Sequence, residues 1–187
     1  MDINKETIFE TIDRYFSYFP EDRSRLEKLY TQRRLQDDLG DRRNFRGHIT
    51  ASGVVVDGDK ALLIFHNQFR VFIQPGGHYE NDETIELCAR REVEEETGLR
   101  VIWHKEHGNI PLSVDTHAIP KSKEKDEENH FHHDHLFLYR LDKEEKNIVT
   151  LQKEEVKEYQ WVSLEKFCEV KSLGFFIERA EGLSLLR

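Results

Sequence analysis

The hydrophobic positions of the first 39 residues predict two consecutive amphipathic helices. Five apolar side chains recur at helical spacing in the first helix: Ile8, Ile12, Tyr15, Phe16 and Phe19. Pro20 is placed to start the second helix, because proline suits the first turn. Such a stripe must be buried on the rest of the chain or on a second subunit. We favour burial in a homodimer, with intramolecular packing as the alternative.

The rest of the chain alternates apolar runs with turn signals, which predicts an α/β domain. A polar, arginine-rich connector at residues 40–47 separates it from the helices. Strands are expected near 49–56, 61–65, 101–104, 131–140 and 158–162, with a lysine- and glutamate-rich loop at 120–129. We therefore divide the chain into a helical extension, residues 1–43, and a larger domain, residues 44–187.

One predicted helix, residues 83–97, has acids on the face that should be apolar. At about 100° per residue, four side chains form one stripe: Ile85, Cys88, Ala89 and Val93. Glu92 and Glu96 project into that stripe, and Glu95 lies at its edge. A solvated, charge-rich helix is the usual meaning of such a run, but it does not explain Glu92 and Glu96. Clustered carboxylates repel one another and are costly to desolvate, so they predict a bound divalent cation.

Residues flanking this helix define its ends. Asn81 and Asp82 are placed to cap its N-terminus, and Gly98 is a natural residue at its C-terminus. Ahead of it, residues 75–77 read Pro-Gly-Gly. This sequence predicts a sharp turn whose peptide groups are open to a ligand.

The segment from Gly77 to Leu99 resembles the Nudix box at every specified position. The matching residues are Gly77, Glu83, Arg91, Glu92, Val93, Glu95, Glu96, Gly98 and Leu99. Many specified positions at fixed spacing make a chance match improbable. The resemblance implies a Nudix-type α/β/α sandwich with a mixed β-sheet, here with an N-terminal helical extension. It also implies hydrolysis of a nucleoside diphosphate linked to another group.

The same resemblance implies a role for each box residue. The ligands of Mg²⁺ or Mn²⁺ would be Glu92, Glu95, Glu96 and the carbonyl of Gly76. The ions would neutralise the diphosphate and activate the attacking water. Glu95, or an acid outside the box for which we select Glu155, would be the general base. Glu155 is equally well explained as part of a solvated loop. Arg91 and Glu83 would orient the metal ligands.

Histidines form the second unusual feature of the sequence. His117 follows Asp115 in the sequence. His130, His132 and Asp134 alternate along a predicted strand, so these three share one face. They would contact substrate phosphates or bind an additional transition metal, unless they are simply polar residues on a wet strand face. We favour substrate contact, and we add His78 because it directly follows Gly77.

Composition limits the class of partner. The net charge of −9 argues against nucleic acid or an anionic membrane as the main partner. The small nucleotide substrate that the resemblance implies could still bind, because metal ions would set the local field in the site. The two cysteines make no disulfide framework and suggest reduced thiols in a cytoplasmic protein. We find no signal peptide and no apolar run of roughly 18 residues.

Two other functional classes stay open at this point. A non-catalytic Nudix-like sensor would bind a nucleotide without turnover, although such proteins commonly lose box acids that this chain keeps. An isopentenyl-diphosphate isomerase would share the fold, but it needs a catalytic cysteine, and Cys88 lies on the packed side of the helix. Nothing in the sequence selects one nucleoside diphosphate derivative as the substrate.

Overall fold

The computed structural model describes residues 3–80, 84–104, 109–123, 125–144, 148–168 and 179. Within these residues there are four α-helices and one short 3₁₀ helix at Pro20–Arg23. The α-helices are α1 (Ile3–Tyr18), α2 (Glu27–Arg34), α3 (Ile85–Thr97) and α4 (Leu164–Cys168). The strands are β1 (His48–Asp57), β2 (Lys60–His66), β3 (Val71–Ile73), β4 (Gly76–His78), β5 (Val101–Trp103), β6 (Ser113–Ile119), β7 (His130–Leu141) and β8 (Val156–Ser163).

These strands form one mixed sheet around the pair β1 and β7. The two strands run parallel, and their pairing continues without a break from His48 opposite His132 to Val56 opposite Arg140. The central order is β3-β2-β1-β7-β5, while β4 pairs with β1, β6 with β7 and β8 with β2. Every pairing other than β1 with β7 is antiparallel. The mixed sheet predicted from the sequence is therefore confirmed.

Alternation along β1 divides the core between the two faces of the sheet. Ile49, Ala51 and Val55 belong to a cluster that includes the apolar residues of α1, α2 and α3. Val54 and Val56 point the other way, into a second cluster that contains Phe167 of α4. Helices therefore cover both faces, and the predicted α/β/α arrangement with N-terminal helices is confirmed.

Local signals explain the ends of α3. Thr84 is the N-cap, and its hydroxyl accepts a hydrogen bond from the backbone N–H of Leu87. Gly98 ends the helix in the left-handed conformation, with φ of 68°. The prediction that Gly98 ends this helix is therefore confirmed. The predicted caps Asn81 and Asp82 lie outside the described residues, and Thr84 takes the capping role.

The apolar stripe of α1 is buried within the chain. Ile8, Ile12 and Phe16 belong to the same hydrophobic cluster as the sheet and α3. The stripe therefore needs no second subunit to cover it, and the homodimer stays a prediction, as does the division at residue 43. Pro20 was expected to start the second helix, but it starts the 3₁₀ turn, and α2 begins only at Glu27.

A charged network joins these helices to Arg179 near the other end of the chain. Arg179 donates 2.6 Å hydrogen bonds to Oδ2 of Asp22 and to the hydroxyl of Tyr15. Arg25 also donates to Asp22 at 2.6 Å, and the Tyr15 hydroxyl donates to the same carboxylate. Burial raises the pKa of Asp22, but these hydrogen bonds outweigh it and hold the pKa below its ordinary value. Asp22 is therefore a charged anchor inside the fold.

A search of the helices in the described residues finds none with the length and apolar character needed to span a membrane.

Close packing of α3 on β1 generates a stability prediction at Gly53. A Cβ atom there would lie 2.5 Å from Cγ2 of Val93 and 3.0 Å from the Tyr139 ring. We expect Gly53→Ala to destabilise the fold by about 1–3 kcal/mol, the usual cost of overpacking. Chemical denaturation measures the free energy of unfolding of the variant and of the unchanged protein. Adding Val93→Ala removes the clashing methyl, so the double variant should lose less stability than the sum of the single losses. Strict additivity would contradict this account of the contact.

Candidate active site

The carboxylate of Glu96 is the most deeply buried acid of α3, with 1% of the residue exposed. Its Oε2 accepts a 2.9 Å hydrogen bond from the backbone N–H of Gly76. Its Oε1 is buried and has no hydrogen-bond partner among the described residues. A buried carboxylate with an unpartnered oxygen is costly, so this position calls for a cation.

The Gly76 hydrogen bond depends on the way β4 pairs with β1. The N–H of Gly53 donates to the carbonyl of Pro75, and the N–H of Tyr79 donates to the carbonyl of Ile49. Gly76 therefore occupies a non-hydrogen-bonded position, and its own N–H and C=O point away from β1. The prediction of a simple sharp turn at 75–77 was wrong, because Gly76–His78 is a strand. Its edge position still leaves the Gly76 peptide groups directed towards α3.

Gly77 makes room for the second buried acid, Glu92. A Cβ atom on Gly77 would lie within 2.6 Å of both carboxylate oxygens of Glu92. Only glycine allows the carboxylate to lie so close to β4. Gly77, the first residue of the box, must therefore be a glycine because the Glu92 carboxylate lies against it.

Arg91 holds the acidic side chains in place. Its Nη1 donates to Oε1 of Glu92 at 2.8 Å and to Oε2 of Glu95 at 3.0 Å. Its Nη2 donates to the carbonyl of His78 at 3.0 Å. The guanidinium thus ties two carboxylates of α3 to the backbone of β4. Glu95 is the exposed member, with 52% of its side chain accessible.

Burial makes these acids weak in the absence of a cation. Burial raises the pKa of Glu96 to about 8, despite the Gly76 hydrogen bond, and the negative charges of Glu92 and Glu155 add to the effect. Burial likewise raises the pKa of Glu92 to about 7, although Arg91 opposes the shift. The single positive charge of Arg91 does not balance the negative charges of these carboxylates.

Two side chains from outside the box approach Glu96. Ligand atoms of His66, Glu96 and Glu155 all lie within 4.8 Å of one another. His66 ends β2 and pairs with Val156 of β8, which places it beside Glu155. Glu155 was selected from the sequence, and the structure brings it to the box. His66 was missed, because its position depends on the pairing of β2 with β8 and not on a local pattern.

This donor set fits a hard divalent cation. It offers the carboxylates of Glu92, Glu96 and Glu155 beside the outward-pointing carbonyl of Gly76, and Oε1 of Glu96 is unpartnered. Oxygen donors of this kind suit Mg²⁺ and Mn²⁺. Glu83 lies outside the described residues.

A second group, the histidine patch, lies on the sheet face opposite α3. Its members are His48, His78, His117, His130 and His132. Cross-strand register brings them together, because His48 and His117 both pair with His132 and His78 pairs with Thr50. The predicted histidines 78, 130 and 132 are thus neighbours. His117 was also indicated by the sequence, and β6 brings it here. His48 was missed, because its place depends on the pairing of β1 with β7.

Asp134 lies on the same face, two residues along β7 from His132. Its Oδ1 accepts from the Thr50 hydroxyl at 3.1 Å, and its Oδ2 accepts from the Ser52 hydroxyl at 2.6 Å. Burial raises the pKa of Asp134 despite these hydrogen bonds. Both oxygens are therefore engaged by β1.

Comparison with known proteins places this chain and its fold in a wider group. The sequence model of the NUDIX domain matches residues 47–181. A C. elegans Ap4A hydrolase, solved as a binary complex, is 18% identical with a TM-score of 0.54, covering 73% of this chain and 97% of that one. A NUDIX-family hydrolase from Clostridium perfringens is 25% identical with a TM-score of 0.49, covering 75% and 98%. An ADP-ribose pyrophosphatase from Streptococcus suis is 18% identical with a TM-score of 0.46, covering 71% and 90%.

The contact between Gly77 and Glu92 generates a prediction about cation binding. Gly77→Ala should leave the fold intact, because the clashing atoms are the end of a flexible side chain. Displacing that carboxylate should weaken Mn²⁺ binding by about 10- to 100-fold, the range for losing groups that orient ligands. Calorimetric titration measures the affinity, and circular dichroism checks the fold.

The control for this prediction is the Glu92→Ala background. With the carboxylate removed, Gly77→Ala should change Mn²⁺ affinity little. An unchanged affinity in Gly77→Ala alone would show that the Glu92 carboxylate is not a ligand in this position.

Proposed function

The chain belongs to the Nudix hydrolase family, and from that premise we propose that it is a metal-dependent enzyme that cleaves a phosphoanhydride bond. The substrate is a nucleoside diphosphate linked to another group, and the cation is Mg²⁺ or Mn²⁺. The observation that carries the proposal is the buried Glu96, with an unpartnered Oε1 and a pKa raised by burial to about 8. Without a cation, burial of the Glu96 carboxylate would cost free energy that no other interaction among the described residues offsets.

The cation is held by Glu92 and Glu96, by the carbonyl of Gly76, and by Glu95 or Glu155 from the solvent side. Support comes from the position of Glu155, whose carboxylate lies within 4.8 Å of donor atoms of Glu96 and His66. When bound, the cation neutralises the diphosphate and lowers the pKa of the attacking water.

The protein's own groups position the acids and move the proton. Arg91 orients Glu92 and Glu95 through hydrogen bonds of 2.8 and 3.0 Å. We assign Glu95 as the general base, because it is the exposed box acid and can exchange a proton with solvent after accepting it. Glu83 keeps its expected role of orienting a metal ligand.

The substrate is a small nucleotide bound beside the box, with His78, His130, His132 and Asp134 as its contacts. Support comes from β4, where His78 directly follows Gly77 and its ring lies 4.9 Å, between ring centroids, from that of His132. The proposed location is the cytoplasm, in keeping with the buried Cys88 thiol, which forms no disulfide.

A substrate screen tests the activity. Candidate compounds are ADP-ribose, nucleotide sugars, nucleoside triphosphates and Ap4A, each with Mg²⁺ or Mn²⁺. A phosphatase added afterwards releases phosphate only from products of cleavage, so released phosphate reports turnover. Tight binding of a compound without turnover would favour a nucleotide-binding sensor over an enzyme.

The buried position of Glu96 generates the first prediction from this proposal. Glu96→Gln should keep the fold, because glutamine has the same shape, but it should lower turnover by about 10²-fold or more. A circular dichroism spectrum and a rate assay on the same sample decide the result. The matched control is Glu94→Gln, whose carboxylate pairs at the surface with Arg90 and Arg100 and should be nearly neutral. Near-normal turnover in folded Glu96→Gln would remove Glu96 from the site.

The different positions of Glu95 and Glu155 generate a second prediction. Glu95→Gln should lower kcat by about 10²–10⁴-fold at saturating metal, the effect of losing a general base. Glu155→Gln should instead raise the Mn²⁺ concentration needed for half-maximal activity and recover most of its rate when Mn²⁺ is saturating. Rates measured across a Mn²⁺ series separate the two effects. If Glu155→Gln lowered kcat at saturating Mn²⁺ and Glu95→Gln only raised the Mn²⁺ requirement, the two roles would be exchanged.

A further inference from the structure

Three histidines of the histidine patch form a compact set of nitrogen donors. Among the described residues, two groups have ligand atoms that all lie within 4.8 Å of one another. One is the group of His66, Glu96 and Glu155 at the box. The other is His48, His130 and His132, which contains imidazoles alone.

Backbone hydrogen bonds of His130 and His48 leave the lone pair of each of these two rings on Nε2. Nδ1 of His130 donates to the carbonyl of Glu128 at 2.7 Å, so its Nε2 carries the lone pair. Nδ1 of His48 lies 3.4 Å from the carbonyl of Asn44, which likewise fixes the lone pair on Nε2. Histidines that bind metals usually donate their other ring N–H to a carbonyl or carboxylate in this way.

The buried Nε2 of His48 supports an ion at the centre of this group. His48 is 1% exposed, and its Nε2 is buried without a hydrogen-bond partner among the described residues. An unpartnered polar atom in such a position is costly, and an ion at the centre of the group would remove that cost.

The spacing of the other two nitrogens matches a metal site. Nε2 of His130 lies 3.1 Å from Nε2 of His132. Two imidazole nitrogens bound to one tetrahedral Zn²⁺, each at about 2.0–2.1 Å, are separated by about 3.3 Å. Without an ion, a single N–H···N hydrogen bond joins the two rings. An ion would replace that hydrogen bond, with the His132 proton carried by its other ring nitrogen, Nδ1.

The surroundings keep these rings neutral, as metal binding requires. Burial lowers the pKa of His132 to about 2, and the neighbouring imidazoles add to the effect. Burial also lowers the pKa of His48 below its ordinary value. Their lone pairs are therefore available at neutral pH.

We propose that His48, His130 and His132 bind a borderline transition-metal ion such as Zn²⁺, at a site separate from the carboxylates of α3. Imidazole donors suit Zn²⁺, whereas carboxylate and carbonyl oxygens suit Mg²⁺ and Mn²⁺. The protein thus presents two sites of different chemistry on opposite faces of the short strand β4. Three protein ligands leave the fourth position of a tetrahedral ion for water or for a phosphate oxygen, so His130 and His132 would contact the substrate through the ion.

The test measures metal binding directly on the intact chain without a histidine tag. The protein is stripped with a chelator, supplied with excess Mg²⁺ to occupy the carboxylates, and titrated with Zn²⁺ or with Co²⁺ as a visible probe. We expect one equivalent to bind per chain. Changing His130 or His132 to Asn should weaken that binding by about 10²-fold or more, beyond the loss caused by removing an orienting group.

His66→Asn is the matched control, because His66 belongs to the other group of ligand atoms. The proposal requires unchanged Zn²⁺ affinity in this variant. Loss of binding in His66→Asn with normal binding in the His130 and His132 variants would place the ion at the box and overturn the proposal. Absence of tight binding in the unchanged protein would also overturn it.

A measurement on the unchanged protein guards against variants that fail to fold. X-ray absorption of the Zn²⁺-loaded chain in excess Mg²⁺ counts the imidazoles around the ion. Two or three imidazoles support the histidine site, because the box group offers only His66. One imidazole or none would refute it.

Discussion

The parallel pairing of β1 with β7 is the constraint on which both parts of the site depend. Its register fixes which residues share a face, because each step along a strand reverses the side chain. Odd residues of β1 then pack under α3, where Gly53 meets Val93. Even residues of the same strand bring His48 beside His132 and Thr50 beside Asp134. A shift of one residue would exchange the apolar and polar faces and dismantle the core and the patch together.

The box helix combines two opposing demands on one face. Ile85, Cys88, Ala89 and Val93 are fully buried and attach α3 to the sheet. Glu92 and Glu96 lie on that same face, and burial raises the pKa of each. The apolar contacts supply the packing that keeps the acids in an unfavourable place, which is a common feature of functional sites. Gly76 and Gly77 complete the arrangement by bringing the β4 backbone up to the carboxylates.

Features that depend on neighbouring residues in the sequence could be predicted. The helical period over residues 83–97 identified the buried stripe and the two acids within it, and Gly98 marked its end. Alternation placed His130, His132 and Asp134 on one face. Features that depend on pairing between distant segments could not be predicted. His48 meets His132, and His66 meets Glu155, only after β1, β2, β7 and β8 are assembled. The short strand β4 was hidden by its glycines, whose usual meaning is a turn.

Arg179 lies within the region that the family model matches, but it binds residues of the N-terminal segment outside that region. The family match begins at residue 47, whereas the salt bridge partner of Arg179, Asp22, lies well before it. A chain shortened to the matched region would lose the Asp22 carboxylate and the Tyr15 hydroxyl that Arg179 binds, together with the Phe19 ring beneath its guanidinium. It would also uncover the apolar cluster that α1 shares with the sheet. The packed core thus extends beyond the region that the family model matches, and residues 47–181 alone would lack part of that packing.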